Sequence, residues 1–224
     1  LQSKIVLTMT LFLLTLGTLG FYLLEHHNPA TMGTLNAAGK FQAAFFQSVT
    51  TRTAGFASIS QSGLTNGSKL LACLLMIVGG SPAGTAGGIK TTTVAVLLLT
   101  AISVLRGNKD TECYGRKITF EIIRVGITIT LVTFVFWLFG VTVMTVIEPQ
   151  QKVLDLMFEA TSAMATVGLT VDLTPVLSDI SHVVLMLMMY IGRIGPMTMA
   201  LIFSGHVDKK NQFRTLPEAK IMVG

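Results

Sequence analysis

Two short strings stand out for what their backbone could do: Thr53-Ala54-Gly55-Phe56 and Thr166-Val167-Gly168-Leu169, each following a short amphiphilic stretch. None of these side chains is a catalytic acid, base or nucleophile, so the available chemistry belongs to the carbonyl oxygens. Glycine permits the left-handed or extended backbone that aims successive carbonyls inward, and such oxygens can replace the water shell of an alkali cation. A lone Thr-x-Gly is commonly a turn. Here it recurs inside a duplication: a shift of 113 residues brings Lys4 onto Lys117, Phe45 onto Phe158, Thr53 onto Thr166, Gly55 onto Gly168 and Gly79 onto Gly192.

The second set of candidates consists of cations and glycines within apolar sequence. Lys90 interrupts the apolar run 70–105, and Arg193 interrupts 183–204. A charge at bilayer depth costs at least about 2.5 kcal/mol, so it usually faces a cavity or a partner. For Arg193 the plainer alternative is that it satisfies carbonyls at the break Gly192-Arg193-Ile194-Gly195-Pro196. The run 70–105 would be roughly 54 Å long as one straight helix, nearly twice the hydrocarbon thickness, so it must break. Gly79, Gly80, Pro82, Gly84, Gly87 and Gly88 sit at its middle. A kinked helix is the bland reading; beside a pore, a mobile polar plug over 79–92 is the stronger one.

Composition says what must hold these residues. Of 224 residues 51% are hydrophobic and only 12% charged, with a mean hydropathy of +0.69, which leaves too little polar surface to wrap a water-soluble core. Four apolar segments, 5–24, 70–105, 125–147 and 183–204, are each long enough to cross a bilayer. The net charge of +5 does not point to nucleic acid, because the basic residues form no groove with interleaved aromatics. They follow topology instead. Arg106, Lys109, Arg116 and Lys117 crowd one loop, and Lys209, Lys210, Arg214 and Lys220 follow the last span, so loop 106–118 and the C-terminus are expected in the cytoplasm. Leu1 begins no removable signal peptide, and the chain reads as starting mid-protein. Cys73 falls in a span and Cys113 in the cytoplasmic loop, so no disulfide is expected.

The expected architecture is an all-α membrane protein of two tandem helix, pore-helix, helix repeats. The first covers 1–106 and includes the broken span with its gate loop; 107–118 is a cytoplasmic loop, 119–206 the second repeat, and 207–224 a cytoplasmic tail. Both repeats begin and end inside, so they are parallel. The short helices expected at 41–51 and 153–163 reach roughly 16 Å and can only dip into the bilayer. Their partially negative C-terminal ends would lie near the membrane centre, where they attract a cation. Backbone that reverses at this depth is tolerated only where it is buried in protein or lines a watery cavity.

Thr166-Val167-Gly168 coincides with the first three residues of the potassium-channel filter signature Thr-Val-Gly-Tyr-Gly. Three longer strings extend the likeness: Thr50-Thr51-Arg52-Thr53-Ala54-Gly55-Phe56, the run from Gly79-Gly80-Ser81-Pro82 to Gly87-Gly88-Ile89-Lys90-Thr91-Thr92, and Gly192-Arg193-Ile194-Gly195-Pro196. With these the chain resembles the Trk/Ktr/HKT superfamily of potassium transporters over essentially its whole length. The ending Pro217-Glu218-Ala219-Lys220-Ile221-Met222-Val223-Gly224 resembles the Ktr-type membrane subunit in particular.

The resemblance implies four such units around one pore, of which this chain matches the third and fourth. A whole pore then needs the N-terminal units or a second copy. It implies K⁺ held only by backbone carbonyls of Thr53, Ala54, Gly55 and Phe56 and of Thr166, Val167, Gly168 and Leu169. Phe56 and Leu169 stand where tyrosine would, and neither copy has the second filter glycine, which implies a shorter and less selective filter. The gate would be Gly79, Gly80, Gly84, Gly87, Gly88 and Lys90 with Arg193. The implied function is K⁺ uptake across the cell membrane, passive or coupled to Na⁺, with no organic cofactor. The implied partners are a second copy of the subunit and a cytosolic nucleotide-binding ring of the RCK/KtrA type. An enzyme reading lacks a nucleophile, His-Glu-x-x-His and paired intramembrane carboxylates, and the near-match of 84–91 to a phosphate loop fails at Ile89. The remaining alternative is a membrane scaffold for a cytosolic regulator, without conduction.

Other residues carry weaker expectations. Arg52 reads as braced by a carboxylate, His26 and His27 as solvated, and Trp137 and the stripe Met186, Met188, Met189, Met197 and Met199 as packing. Glu159 could add negative potential or make a structural hydrogen bond.

Overall fold

The computed structural model describes residues 1–82, 84, 86–108 and 110–195. The chain builds the same series twice: a long helix, a short helix, an irregular string, and a second helix. Helices α1 (Gln2–Glu25) and α5 (Phe120–Ile147) open the two repeats with 24 and 28 residues, roughly 36 and 42 Å, enough to cross hydrocarbon. Leu7, Leu19 and Leu23 on α1, and Leu131, Phe139 and Val146 on α5, are exposed, as a lipid-facing surface requires.

The short helices follow. Helix α2 (Ala37–Thr50) begins four residues earlier than its apolar stretch suggested, because Asn36 caps it by accepting from the Gly39 N–H. Helix α6 (Val153–Met164) runs one residue beyond 153–163. At 14 and 12 residues neither can span. Their environments differ: α6 buries Leu156 and every residue from Phe158 to Met164, while α2 exposes Phe41, Phe45 and Phe46.

The run 70–105 does break. Helix α3 (Asn66–Ile77) and helix α4 (Thr91–Leu105) are separated by an excursion whose ends are joined. Val78 and Ile89 form a parallel bridge, Gly79 N donates to Ile89 O at 2.9 Å, Ile89 N donates to Ile77 O at 2.9 Å, and Thr91 N donates to Gly80 O at 3.1 Å. The excursion is therefore a closed loop and not a kink. Helix α7 (Asp179–Ile194) ends at Gly195, whose φ is +86°. Arg193 thus lies at the end of α7 and not mid-helix. Lys109, Pro196, Met197 and Met199, the rest of the segment to 204, and the tail 207–224 with Lys209, Lys210, Arg214 and Lys220 lie outside the described residues.

The segment expected to be a plain loop contains a small antiparallel hairpin, β1 (Glu112–Cys113) with β2 (Arg116–Lys117). Tyr114 and Gly115 both have positive φ, which is what a two-residue hairpin turn demands. Cys113 and Ile118 pack with Ile5, Ala95 and Ile123 in a small cluster. The main core gathers Phe21, Met76, Met144, Leu156 and Phe158 from both repeats. Cys73 lies there, and both cysteines are free.

Candidate ion pathway and gate loop

In both strings the first and third residues are left-handed: φ is +68° at Thr53 and +76° at Gly55, +51° at Thr166 and +90° at Gly168. In a strand successive carbonyls point to opposite sides. Alternating the hand of the backbone rotates successive peptide planes so that their carbonyls can share a side. Among the described residues, the carbonyls of Thr53, Ala54, Gly55, Thr166, Val167, Gly168 and Leu169 accept no hydrogen bond from the protein. Seven unpaired backbone acceptors in two adjacent strings are a strong request for a partner, and a cation is one.

Phe56 departs from the expected set. Its N–H donates to Thr50 Oγ1 at 2.8 Å, and its carbonyl accepts from the same hydroxyl at 2.5 Å. That clamp fixes where the string leaves α2, and Phe56 O is already engaged. The ring of Phe56 is 71% exposed, whereas Leu169 is 3% exposed and belongs to the core.

The two strings meet. A Cβ built on Gly55 would lie 2.3 Å from Val167 O and 3.6 Å from Gly168 Cα. Beyond them, Ser62 Oγ donates to Asp172 Oδ2 at 2.7 Å. Each string is also tied back to its own short helix. In the first repeat the Gln47 and Gln61 side-chain amides exchange hydrogen bonds at 2.6 and 3.1 Å. In the second, Glu159 accepts from Val171 N at 3.0 Å and from the hydroxyls of Thr170 at 2.5 Å and Thr174 at 2.8 Å. Glu159 is a structural acceptor, one of its two expected roles. Thr174 stands 113 residues after Gln61.

The gate candidates divide. A Cβ on Gly79 would lie 1.8 Å from Gly87 O, and one on Gly87 would lie 2.4 Å from Thr166 Oγ1 and 2.6 Å from Ala165 O. The loop therefore touches the start of the second string. Lys90 Nζ donates to Ala86 O at 2.5 Å. Lys90 and Arg193 line one cavity of about 240 Å³ with Gly87, Gly88 and Gly192. Arg193 also lines a larger cavity, about 550 Å³, shared with Thr166, Val167 and Gly168. Exposed Gly84 stands apart from the strings: among the described residues, a Cβ placed on it would meet only Ser81 within 4 Å.

Several expectations change. Among the described residues no carboxylate pairs with Arg52, and its Nε is buried without a hydrogen-bond partner. His26 is partly packed, 5.0 Å from the Tyr22 ring, and its carbonyl accepts from Lys40 Nζ at 2.8 Å. Trp137 packs as expected, its Nε1 donating to Thr161 Oγ1 at 2.8 Å.

Sequence reasoning missed the anchors. Lys69 and Asp155 form an ion pair at 2.6 Å, almost buried on the lysine side, joining α3 of one repeat to α6 of the other. Glu25, fully buried, accepts from Thr65 N at 2.9 Å and Thr65 Oγ1 at 2.8 Å. Glu148 accepts from Ser178 N and Ser181 Oγ, both at 2.8 Å. In each repeat a glutamate at the end of the long helix thus holds the N-terminus of the helix that follows the irregular string, α3 for Glu25 and α7 for Glu148, where the helix dipole favours a carboxylate. Half of the signal was available: the 113-residue shift places Thr65 on Ser178 and Ser68 on Ser181, but it places Glu25 on Leu138, so the glutamates themselves do not align. Hydrogen bonding from Ser178 and then Ser181 holds the Glu148 carboxyl below its ordinary pKa.

Comparison with known proteins gives the family. The family model TrkH, "Cation transport protein", matches residues 2–214. The chain is 37% identical over its whole length to Ktr system potassium uptake protein B of Bacillus subtilis, covering 49% of that protein. It is 34% identical to the potassium/sodium uptake protein NtpJ of Enterococcus hirae, covering all of this chain and 50% of that protein. The crystal structure of the potassium transporter TrkH from Vibrio parahaemolyticus superposes with a TM-score of 0.72 over 92% of this chain and 44% of that one, at 17% identity. The chain spans about half the length of the curated relatives it matches. It belongs to the TrkH family of cation transport proteins, which are membrane transporters and not enzymes.

Proposed function

We propose that this chain supplies two of the strings that line a K⁺ uptake pathway, with the carbonyls of Thr53, Ala54, Gly55, Thr166, Val167, Gly168 and Leu169 taking the place of the ion's water. The observation that carries this is the paired alternation of backbone hand with unpaired carbonyls at both strings. Phe56 O, engaged by Thr50, is left out of the ligand set.

Below the filter, Arg193 and Lys90 put two positive charges against one cavity beside the loop 79–90. A guanidinium in the ion's path repels K⁺ until it or the loop moves, so Gly79, Gly80, Gly87 and Gly88 with Lys90 and Arg193 form the gate; Gly84 lies at its outer part. Potassium uptake is the named activity of the Ktr relatives, and the NtpJ relative is named for potassium and sodium; uptake here is assigned to K⁺, passive or with Na⁺ coupling. The pore is completed by two further units, the subunit pairs with a second copy, and a cytosolic nucleotide-binding ring acts on the loop. Loop 106–118 faces the cytoplasm, by the positive-inside rule.

The test is Rb⁺ uptake into vesicles holding the complete transporter. Gly168→Ser is expected to lose uptake or the preference for K⁺ over Na⁺, and Arg193→Ala to raise uptake. Wild-type behaviour in both, with folded protein, would leave the non-conducting scaffold as the better reading.

A further inference from the structure

The loop and the second filter string are joined at both ends of a shared pair of helices. Helix α3 leads into the loop, and α6 leads into Thr166. Their N-terminal turns are linked by the Lys69–Asp155 ion pair at 2.6 Å. At their other ends, backbone meets backbone: the Gly87 Cα faces Ala165 O and the Thr166 hydroxyl so closely that a methyl group would sit 2.6 and 2.4 Å from them. Thr166 Oγ1 is buried there without a hydrogen-bond partner, and Thr166 already holds a left-handed backbone. The loop cannot slide independently either, because Val78 and Ile89 are bridged and Gly79 N is bonded to Ile89 O.

We infer that Gly87 is a specificity-determining residue: its contact with Ala165 and Thr166 makes the position of the gate loop set the geometry of the filter string, so that gating and ion preference are coupled. This rests on the filter reading above. A packed contact has few positions to choose between, so a displacement of the loop is passed on to Thr166 and not absorbed. Coupling is reciprocal: the ion in the filter must in turn bias the loop. Glycine is required at residue 87 for space, since any Cβ would push the Ala165-Thr166 peptide.

Two measurements on the complete transporter test this. In the first, Rb⁺ uptake is competed with K⁺ or Na⁺; Gly87→Ala is expected to lower the preference for K⁺ over Na⁺ several-fold while uptake persists. An unchanged preference in folded Gly87→Ala protein would overturn the inference. In the second, which does not depend on that variant folding, the exposed Gly84 is replaced by cysteine and its thiol labelled in K⁺ and in Na⁺. Labelling rates are expected to differ at least about fivefold, and equal rates would overturn the coupling. Gly168→Ala separates the filter from its coupling to the loop. If it shifts ion preference while Gly84→Cys labels equally in both salts, the filter stands and the coupling falls; if it leaves preference unchanged, both fall.

Discussion

The two repeats solve one problem with different chemistry. Each must hold an irregular string against the short helix before it. The first does so with neutral groups, Gln47 with Gln61 and Thr50 with Phe56; the second uses one buried carboxylate, Glu159, accepting three hydrogen bonds. Their burial differs in the same sense: α2 shows phenylalanines on its surface, while α6 lies inside, between α3, α5 and α7. A charge inside the protein is retained only when its bonds are complete, so the second tie is stronger when intact and costlier when damaged.

The contrast can be broken first at the glycines. Both glycines are left-handed, but a methyl on Gly55 would also lie 2.3 Å from Val167 O, whereas the nearest atom to a methyl on Gly168 is 3.8 Å away. Gly55→Ala should therefore disturb both strings and abolish selective Rb⁺ uptake, and Gly168→Ala should lower selectivity with less loss of folded protein. Equal folded yields in detergent would argue that the strings do not touch. At the ties, Glu159→Ala leaves the buried Val171 N–H and one of the Thr170 and Thr174 hydroxyls without an acceptor, the other hydroxyl still donating to its neighbour at 3.1 Å, and should cost about 3 kcal/mol in unfolding experiments, against about 1 to 2 kcal/mol for Gln47→Ala. The reverse order would remove the distinction between a charged and a neutral tie.

How much of this was legible follows the physics of each feature. The duplication, the half-length helices and the break in 70–105 are written in apolar length and glycine spacing, and they appear where expected. Helix starts were misjudged because Asn36, Thr65 and Ser178 are polar residues that begin helices ahead of the apolar run. The left-handed conformation of Thr53 and Thr166 was not legible, since threonine rarely adopts it and only the surrounding fold holds it. Phe56 looked like a ligand by position; its engagement by Thr50 is a contact that spacing does not reveal. The Lys69–Asp155 pair joins residues far apart in the chain, and neither belongs to a motif.

The smallest effect concerns the paired glutamate clasps. Glu148 has a lowered pKa in the folded protein, so its contribution is present above the unfolded carboxyl value, about 4.3, and is lost as pH falls through the folded value. Melting temperature should drop more steeply on acidification in wild type than in Glu148→Gln. Parallel curves would show that the clasp is not felt.

Everything proposed for this pathway depends on the unpaired carbonyls of Thr53-Ala54-Gly55 and Thr166-Val167-Gly168 holding the ion. The most direct measurement is anomalous diffraction from crystals of the complete transporter grown in Rb⁺. A Rb⁺ peak is expected between the two strings, coordinated by those carbonyls and lost when Na⁺ replaces Rb⁺; an ordered filter with no peak there, or a peak held by side chains elsewhere, would mean that these carbonyls do not hold the ion.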